Sequence, residues 1–177
     1  MTEKRITALN ADCHLRQLYE ASFPAEEQIP WNELLWLVDA MSLDFTAYYH
    51  TGQLAGMTVV YPRKSFNWFW YFAVREELRG RGTGQKILSA LMNKYAGSAN
   101  ILDIESPEQV CANSVMRKRR YDFYLRNGFR DTGVGRSFDG IDYVILMKGT
   151  GTFVSHDYDT ILSELQTFRS SMPCAEV

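Results

Sequence analysis

The chain has 177 residues, the length of one typical domain, and its 46% hydrophobic and 23% charged residues are typical of folded globular proteins. Nineteen Lys and Arg residues against 21 Asp and Glu residues give a formal net charge of -2. This balance excludes a generally basic nucleic-acid-binding domain, so we expect no nucleic-acid partner.

The sequence also argues against membrane, disulfide and metal proteins. No apolar run approaches the roughly 20 residues that span a bilayer, and the N-terminal segment lacks the apolar core of a signal peptide. The three cysteines, Cys13, Cys111 and Cys174, are odd in number and widely spaced, which favours a reduced cytoplasmic protein. No cysteine or histidine pair has metal-ligand spacing, so we expect no metal and no membrane partner.

Apolar periodicity and capping residues predict a strand, then two helices, then two further strands in the N-terminal part of the chain. Asp12 is a typical helix N-cap, and the aromatic and β-branched segments around the Thr51-Gly52-Gln53 turn are typical of a β-hairpin. The predicted elements are a strand at 4–9, a helix from Asp12 to 23, a helix from Trp31, and hairpin strands at 45–50 and 54–61.

The central and C-terminal segments predict further strands and helices in alternation. Residues 66–74 are almost continuously apolar, which indicates a strand buried on both faces. Gly128 stands where glycine commonly ends a helix, and Asp139-Gly140 is a strong hairpin turn. The remaining predicted elements are a helix at 85–96, a strand at 100–105, a helix at 113–127, and strands at 129–138 and 141–147.

These elements predict an α/β domain with a mixed sheet. After residue 148 the chain changes character, and apolar residues at helical spacing predict a C-terminal helix at 158–168. We therefore expect a main domain over 1–148 and an extension over 149–177, whose helix packs on the same domain. Residues 170–177 are expected to fray.

The segment from Arg79 to Gly84 reads RGRGTG and lies between the apolar strand and a predicted helix. Unpaired backbone N–H groups and the partial positive charge of a helix N-terminus form a natural anion site. Gln85, Lys86 and Ile87 rule out the P-loop, and Gln85 also stands where the dinucleotide fingerprint needs its last glycine. The alternative is a flexible turn with solvated arginines.

The segment RGRGTG resembles the R/Q-x-x-G-x-G/A signature of the GNAT superfamily of N-acetyltransferases. A second segment, residues 123–129 with the sequence FYLRNGF, is similar to the FYxxxGF segment of that family. The element order over residues 4–147 also agrees with the family topology. The resemblance therefore implies a GNAT-like, mixed but mostly antiparallel central sheet flanked by helices, with acetyl-CoA as the acyl-donor cosubstrate.

The same resemblance implies two sets of contacts with the cosubstrate. Backbone groups of Phe72 and Val74 would pair with the pantetheine arm, and a backbone N–H there would stabilise the developing oxyanion. The turn would hold the pyrophosphate through Arg79, Gly80, Arg81, Gly82, Thr83 and Gly84.

Tyr124 matches the tyrosine that protonates the departing thiolate in many members of the family; the alternative is a half-buried tyrosine without a catalytic role. Many members carry an asparagine where this chain has Arg117, seven residues before Tyr124. Arg117 belongs to a run of four basic residues, of which one or two could attract the phosphates of the cosubstrate.

The sequence offers four carboxylates for work on the acceptor. Asp103 and Glu105 lie two residues apart on a predicted strand, so both point to one face, and Glu105 at the strand end is the candidate general base. Its alternative is a solvated strand end. Glu26 and Glu27 lie in a segment that shapes the acceptor pocket in GNAT folds, and with Asp103 they are candidates for binding a cationic acceptor.

The leading hypothesis is therefore an N-acetyltransferase that joins acetyl-CoA and a primary amine in a ternary complex by direct attack. A non-catalytic acyl-CoA-binding or sensing module is the alternative. Small amines, polyamines, amino sugars and protein N-termini remain open as acceptors. An exposed sheet edge or the C-terminal helix offers a surface for a homodimer.

Overall fold

The computed structural model describes residues 1–172, and its seven strands form a single sheet with the order β1-β2-β3-β4-β5-β7-β6. Neighbouring strands are antiparallel except for β4 and β5, which are parallel. The strands are β1 (Thr2–Arg5), β2 (Asp44–His50), β3 (Gln53–Pro62), β4 (Asn67–Val74), β5 (Asn100–Glu105), β6 (Arg130–Phe138) and β7 (Ile141–Lys148).

Five α-helices cover the two faces of this sheet. Apolar side chains of the third and fourth helices pack on one face, and those of the first, second and fifth pack on the other. The helices are α1 (Cys13–Ser22), α2 (Trp31–Ala40), α3 (Thr83–Lys94), α4 (Ser114–Arg126) and α5 (Ser155–Ser170). Short 3-10 turns occupy Ala25–Glu27 and Glu76–Leu78. The predicted α/β fold class is therefore confirmed.

Local capping explains where two of the helices begin and end. The Asp12 carboxylate accepts a hydrogen bond from the Leu15 N–H at 2.9 Å and so caps α1. At the end of α4, Gly128 adopts φ +81°, and the N–H of Phe129 donates to the Tyr124 carbonyl at 3.1 Å. This is the Schellman arrangement, in which a glycine takes the left-handed conformation just past the helix.

The observed boundaries differ from the predicted ones by two or more residues at three elements. The first strand ends at Arg5 rather than at residue 9, because the Asn10 side chain accepts from the Thr7 N–H and closes a turn. The third helix starts at Thr83 rather than at residue 85. The fifth helix starts at Ser155 rather than at residue 158, and the Asp157 carboxylate accepts from the N–H of the residue before its first turn.

Strands β4 and β5 separate soon after they meet. They pair only at Asn67 with Asn100 and at Trp68 with Ile101, and the two asparagine side chains bond to each other at 3.0 Å. A bulge at Trp70 then interrupts the pairing of β4 with β3, which bends β4. The strands diverge towards their C-terminal ends, and this separation opens the centre of the sheet.

The fifth helix is fixed across the open part of the sheet. Tyr158 and Ile161 are buried against the core, Glu164 pairs with Arg63, and Arg169 pairs with Glu33 on α2. The frayed end predicted for residues 170–177 lies mostly outside the described residues, as does Cys174. Among residues 1–172, no helix has the length and apolar character needed to cross a membrane.

Candidate active site

A cleft of about 970 Å³ opens where β4 and β5 separate, and residues from both faces of the sheet line it. On the side of α3 and α4 the walls include Arg79, Gly80, Gly82, Gly84, Phe72, Met116, Phe123 and Tyr124. On the side of α1 and α5 they include Phe23, Glu26, Glu27, Trp70, Asp103, Arg136, Phe138, Tyr143, Tyr158 and Leu162. The opening therefore connects the two faces of the sheet.

The glycine turn forms one end of the cleft. Gly82 has φ +80° at the N-cap of α3, a conformation that glycine adopts without strain. The first helical bond runs from the Lys86 N–H to the Gly82 carbonyl, so the N–H groups of Thr83, Gly84 and Gln85 precede it. Unpaired N–H groups at a helix N-terminus are the kind of donors that bind anions, which is the role that the sequence predicts for this turn.

Not every residue of the predicted phosphate loop faces the cleft. Arg79, Gly80, Gly82 and Gly84 line it, whereas Arg81 and Thr83 do not. The Arg79 guanidinium donates from Nε to the Val74 carbonyl at 3.0 Å, which fixes the turn against the end of β4.

The free edge of β4 carries the backbone groups of Phe72 and Val74. The Arg75 N–H donates to the carbonyl of Ala55 on β3. In an antiparallel pair, the backbone groups of successive residues point alternately towards the partner strand and away from it. The N–H and C=O groups of Phe72 and Val74 therefore point away from β3, towards the opening. Arg79 already donates to the Val74 carbonyl. The N–H and C=O of Phe72 and the N–H of Val74 are therefore the groups that a bound ligand can contact.

Tyr124 lines the cleft and is only 5% exposed. Its ring packs against Phe72, Phe123 and Phe129, with centroids 5.2 to 6.4 Å away. Within residues 1–172 its hydroxyl makes no hydrogen bond, and burial raises the pKa of this phenol although the nearby Arg120 charge opposes the shift. The hydroxyl therefore stays protonated and available at neutral pH.

Glu105 is held by two arginines. Its buried carboxylate lies 2.7 Å from Nη2 of Arg117 and 3.2 Å from Nη1 of Arg120, both on α4. Arg117, the predicted cosubstrate contact, does not line the cleft, and its Nη1 donates to the Gln109 side chain at 2.8 Å. The Arg117 side chain therefore bonds to Glu105 and to the loop before α4.

Asp103 is likewise surrounded by donors. The Trp68 indole N–H, an Arg136 guanidinium N–H and the Tyr158 hydroxyl each donate to its carboxylate at 2.9 Å. Arg136 also lies over the Tyr143 ring at 4.6 Å. This cluster joins β4, β5, β6 and α5 beside the cleft.

Glu27 has a different environment from Glu105 and Asp103. Its carboxylate accepts only the Tyr143 hydroxyl, at 2.8 Å, and no cation pairs with it within the described chain. Burial raises the pKa of Glu27, and the charges of Glu105 and Asp103 raise it further against the Tyr143 bond and Arg120. Glu26, its neighbour, is exposed at the mouth of the cleft.

Several cleft residues were not foreseen from the sequence. Tyr143 was part of a predicted strand, yet register places it opposite both Glu105 and Arg136. Tyr158 comes from α5, 55 residues along the chain from Asp103, the acid to which its hydroxyl donates. Strand register and helix docking, rather than a motif, bring these residues to the cleft. Across residues 1–172, no group of three His, Cys, Asp or Glu residues could hold a metal ion.

Comparisons with known proteins identify the family of this chain. Residues 42–131 match a family model described as an acetyltransferase (GNAT) domain. A search of curated protein sequences finds no significant match.

Solved structures show the same fold. A protein assigned to the GNAT family from Bacteroides thetaiotaomicron superposes with a TM-score of 0.76 at 21% identity, over 98% of this chain and 100% of its own. A GNAT acetyltransferase from Elizabethkingia anophelis, solved with acetyl-CoA bound, gives 0.60 at 16%, over 84% and 97%. The ribosomal-protein-S18-alanine N-acetyltransferase from Escherichia coli gives 0.56 at 16%, over 86% and 99%.

Proposed function

The chain belongs to the GNAT family of acetyltransferases, and we propose that it transfers the acetyl group of acetyl-CoA to a primary amine by direct attack within a ternary complex. One observation carries this proposal: the cleft connects the two faces of the sheet beside Tyr124. A donor bound along α3 and α4 can therefore meet an acceptor that enters from the side of α1 and α5.

The proposed donor site fits acetyl-CoA in charge and in shape. The N-terminal amides of α3 and the charge of Arg79, which lines the cleft, suit a pyrophosphate. The free edge of β4 suits the amide groups of a pantetheine arm, because strand edges bind extended chains through backbone hydrogen bonds. The Phe72 N–H, which points to the opening, is the proposed donor to the developing oxyanion, a contact worth about 3 to 4 kcal/mol in comparable sites.

Tyr124 is the proposed general acid. Burial keeps its hydroxyl protonated, and the hydroxyl is not engaged by any other described residue. A phenol and a thiol have ordinary pKa values within about two units of each other, and burial in the same cleft raises the pKa of both groups. As the C–N bond forms and the C–S bond breaks, the hydroxyl gives its proton to the sulfur, and a proton lost by the amine restores it.

Glu27 is the proposed acceptor of the first amine proton, in preference to Glu105. Two guanidinium groups occupy the Glu105 carboxylate, so its oxygens are already paired and are not free to receive the amine. Glu27 faces the cleft with a raised pKa and a single neutral donor, so it can receive an ammonium group and take its proton.

Substitution of the acid tests the proposal. Tyr124→Phe should lower kcat about a hundredfold or more, because general acid catalysis typically contributes that much, while acetyl-CoA binding measured by calorimetry stays nearly unchanged. Tyr121→Phe is the matched control: Tyr121 lies one turn away on α4, bonds to Asp131 and does not line the cleft. Unchanged turnover in Tyr124→Phe, with chemistry shown to be rate-limiting, would remove Tyr124 from the mechanism.

A further inference from the structure

We infer that the acceptor is a primary amine carried on an apolar body about the size of an aromatic ring, and that α5 forms part of the pocket for this body. The inference rests on the proposed function, since it concerns the acceptor side of the same cleft. Two observations support the inference: apolar side chains line the acceptor side of the cleft, and most charged side chains there are already paired.

Apolar side chains are exposed on the wall of the acceptor side. Phe138 at the end of β6 is 53% exposed and Leu162 on α5 is 36% exposed, and both line the cleft. Half-buried Phe23 and Leu165 continue the same wall. Exposed large apolar groups gathered in a concave site are typical of a binding surface for an apolar ligand.

The strand β4 adds aromatic rings to this pocket. The rings of Trp68 and Trp70 stack with centroids 4.9 Å apart, and those of Trp70 and Tyr71 stack at 5.0 Å. All three side chains line the cleft; Trp68 and Tyr71 are buried, and Trp70 is half-buried. Because these two neighbours stack on Trp70, the part of its ring that stays exposed is left as an apolar contact for the acceptor.

The charges on this side favour a single ammonium group. Asp103 and Arg136 pair with each other, and Arg169 at the rim pairs with Glu33. Glu27 is half-buried and pairs with no cation among the described residues, so an incoming ammonium group can meet its carboxylate, with Glu26 exposed beside it. A polyamine or an amino sugar presents several cations or hydroxyls, which an apolar wall would desolvate without partners.

Matched amines and matched variants test the inference. The amines are 2-phenylethylamine, ethylamine and spermidine. We expect kcat/KM for 2-phenylethylamine to exceed that for each of the other two at least tenfold. Leu162→Gln should reduce the preference for 2-phenylethylamine over ethylamine about tenfold, because loss of an apolar contact is worth that much discrimination. Leu125→Gln is the control, since Leu125 is 37% exposed on α4 but does not line the cleft.

The outcomes separate the inference from the proposed function. A preference for spermidine, or a ratio that Leu162→Gln leaves unchanged, would overturn the apolar acceptor and leave amine acetylation standing. Calorimetry of 2-phenylethylamine with the CoA-loaded protein gives a readout without turnover. Binding that Leu162→Gln weakens, with no acetyl transfer, would support the pocket and overturn the proposed function; absence of binding would overturn the pocket.

Discussion

Three buried or half-buried carboxylates lie in one cleft and differ in what donates to them. Glu105 faces two arginines, Asp103 faces an arginine, an indole and a phenol, and Glu27 faces one phenol. Carboxylate oxygens that already pair with an arginine are not free to receive an ammonium group, whereas Glu27 pairs with no cation among the described residues. The three residues are therefore suited to different work, although they are chemically alike in the sequence.

Removal of the Glu27 charge should separate activity from stability. Glu27→Gln should lower kcat/KM about a hundredfold or more, because the proton acceptor is lost. The pKa of Glu27 is raised in the folded protein above its ordinary value of 4.5. Ionised Glu27 therefore lowers the free energy of unfolding, and this loss develops as the pH rises above 4.5. We therefore expect denaturation to show a more stable variant at pH 7, with the difference vanishing below pH 4.

Glu26→Gln provides the control for this experiment, since Glu26 is adjacent but exposed. It should leave the pH dependence of stability unchanged. Equal turnover of Glu27→Gln and the wild type at saturating amine would exclude Glu27 as the proton acceptor.

Glu105→Gln should act mainly on stability. The substitution leaves Arg117, whose side chain is 6% exposed, without its buried counter-charge. Breaking a buried pair in this way costs about 3 to 5 kcal/mol, which urea denaturation can measure. A fall in kcat beyond a hundredfold, with the free energy of unfolding unchanged, would instead establish Glu105 as the general base.

At the scale of elements, the turn before α3 combines a backbone requirement with a binding role. Gly82→Ala would place a Cβ in open space, so the substitution introduces backbone strain at φ +80° without a clash. Such strain costs about 1 to 2 kcal/mol of stability. Because the same backbone presents the α3 amides, we also expect the acetyl-CoA Kd from calorimetry to rise severalfold.

Gly97→Ala is a close control for that prediction. Gly97 has the same φ of +80° and equally open surroundings, but it lies away from the cleft. The two variants should lose similar stability, and only Gly82→Ala should weaken acetyl-CoA binding. Equal affinity in both variants would argue against the glycine turn as the phosphate site.

The elements that the sequence predicts well carry their own local signals. The strand β5 matches its predicted bounds, residues 100–105, and Gly128 ends α4 as expected from its conformational freedom. The first strand was predicted too long, because apolar content does not show that the Asn10 side chain closes a turn. Boundaries set by side-chain capping, as at Val154 before α5, also escape a periodicity argument.

At the scale of the whole molecule, the two sides of the cleft differ in how far the sequence predicts them. The donor side depends on two short segments, the glycine turn and the segment around Tyr124. Within each segment the contributing residues are close in sequence. The acceptor side is assembled from the segment after α1, from β4, β5, β6 and β7, and from α5, whose contributing side chains carry no shared motif. Contacts such as Tyr143 with Glu27 span more than a hundred residues and arise only from tertiary packing.

The most direct test of the account follows thiol release and the mass of the protein after it is mixed with acetyl-CoA, with and without a primary amine. The amines should include an arylalkylamine, a polyamine, an amino sugar and a peptide N-terminus. The account predicts thiol release only when an amine is present, one acetylated amine for each thiol, and a protein of unchanged mass. Thiol release without amine together with an acetylated protein, or no release with any amine, would contradict it.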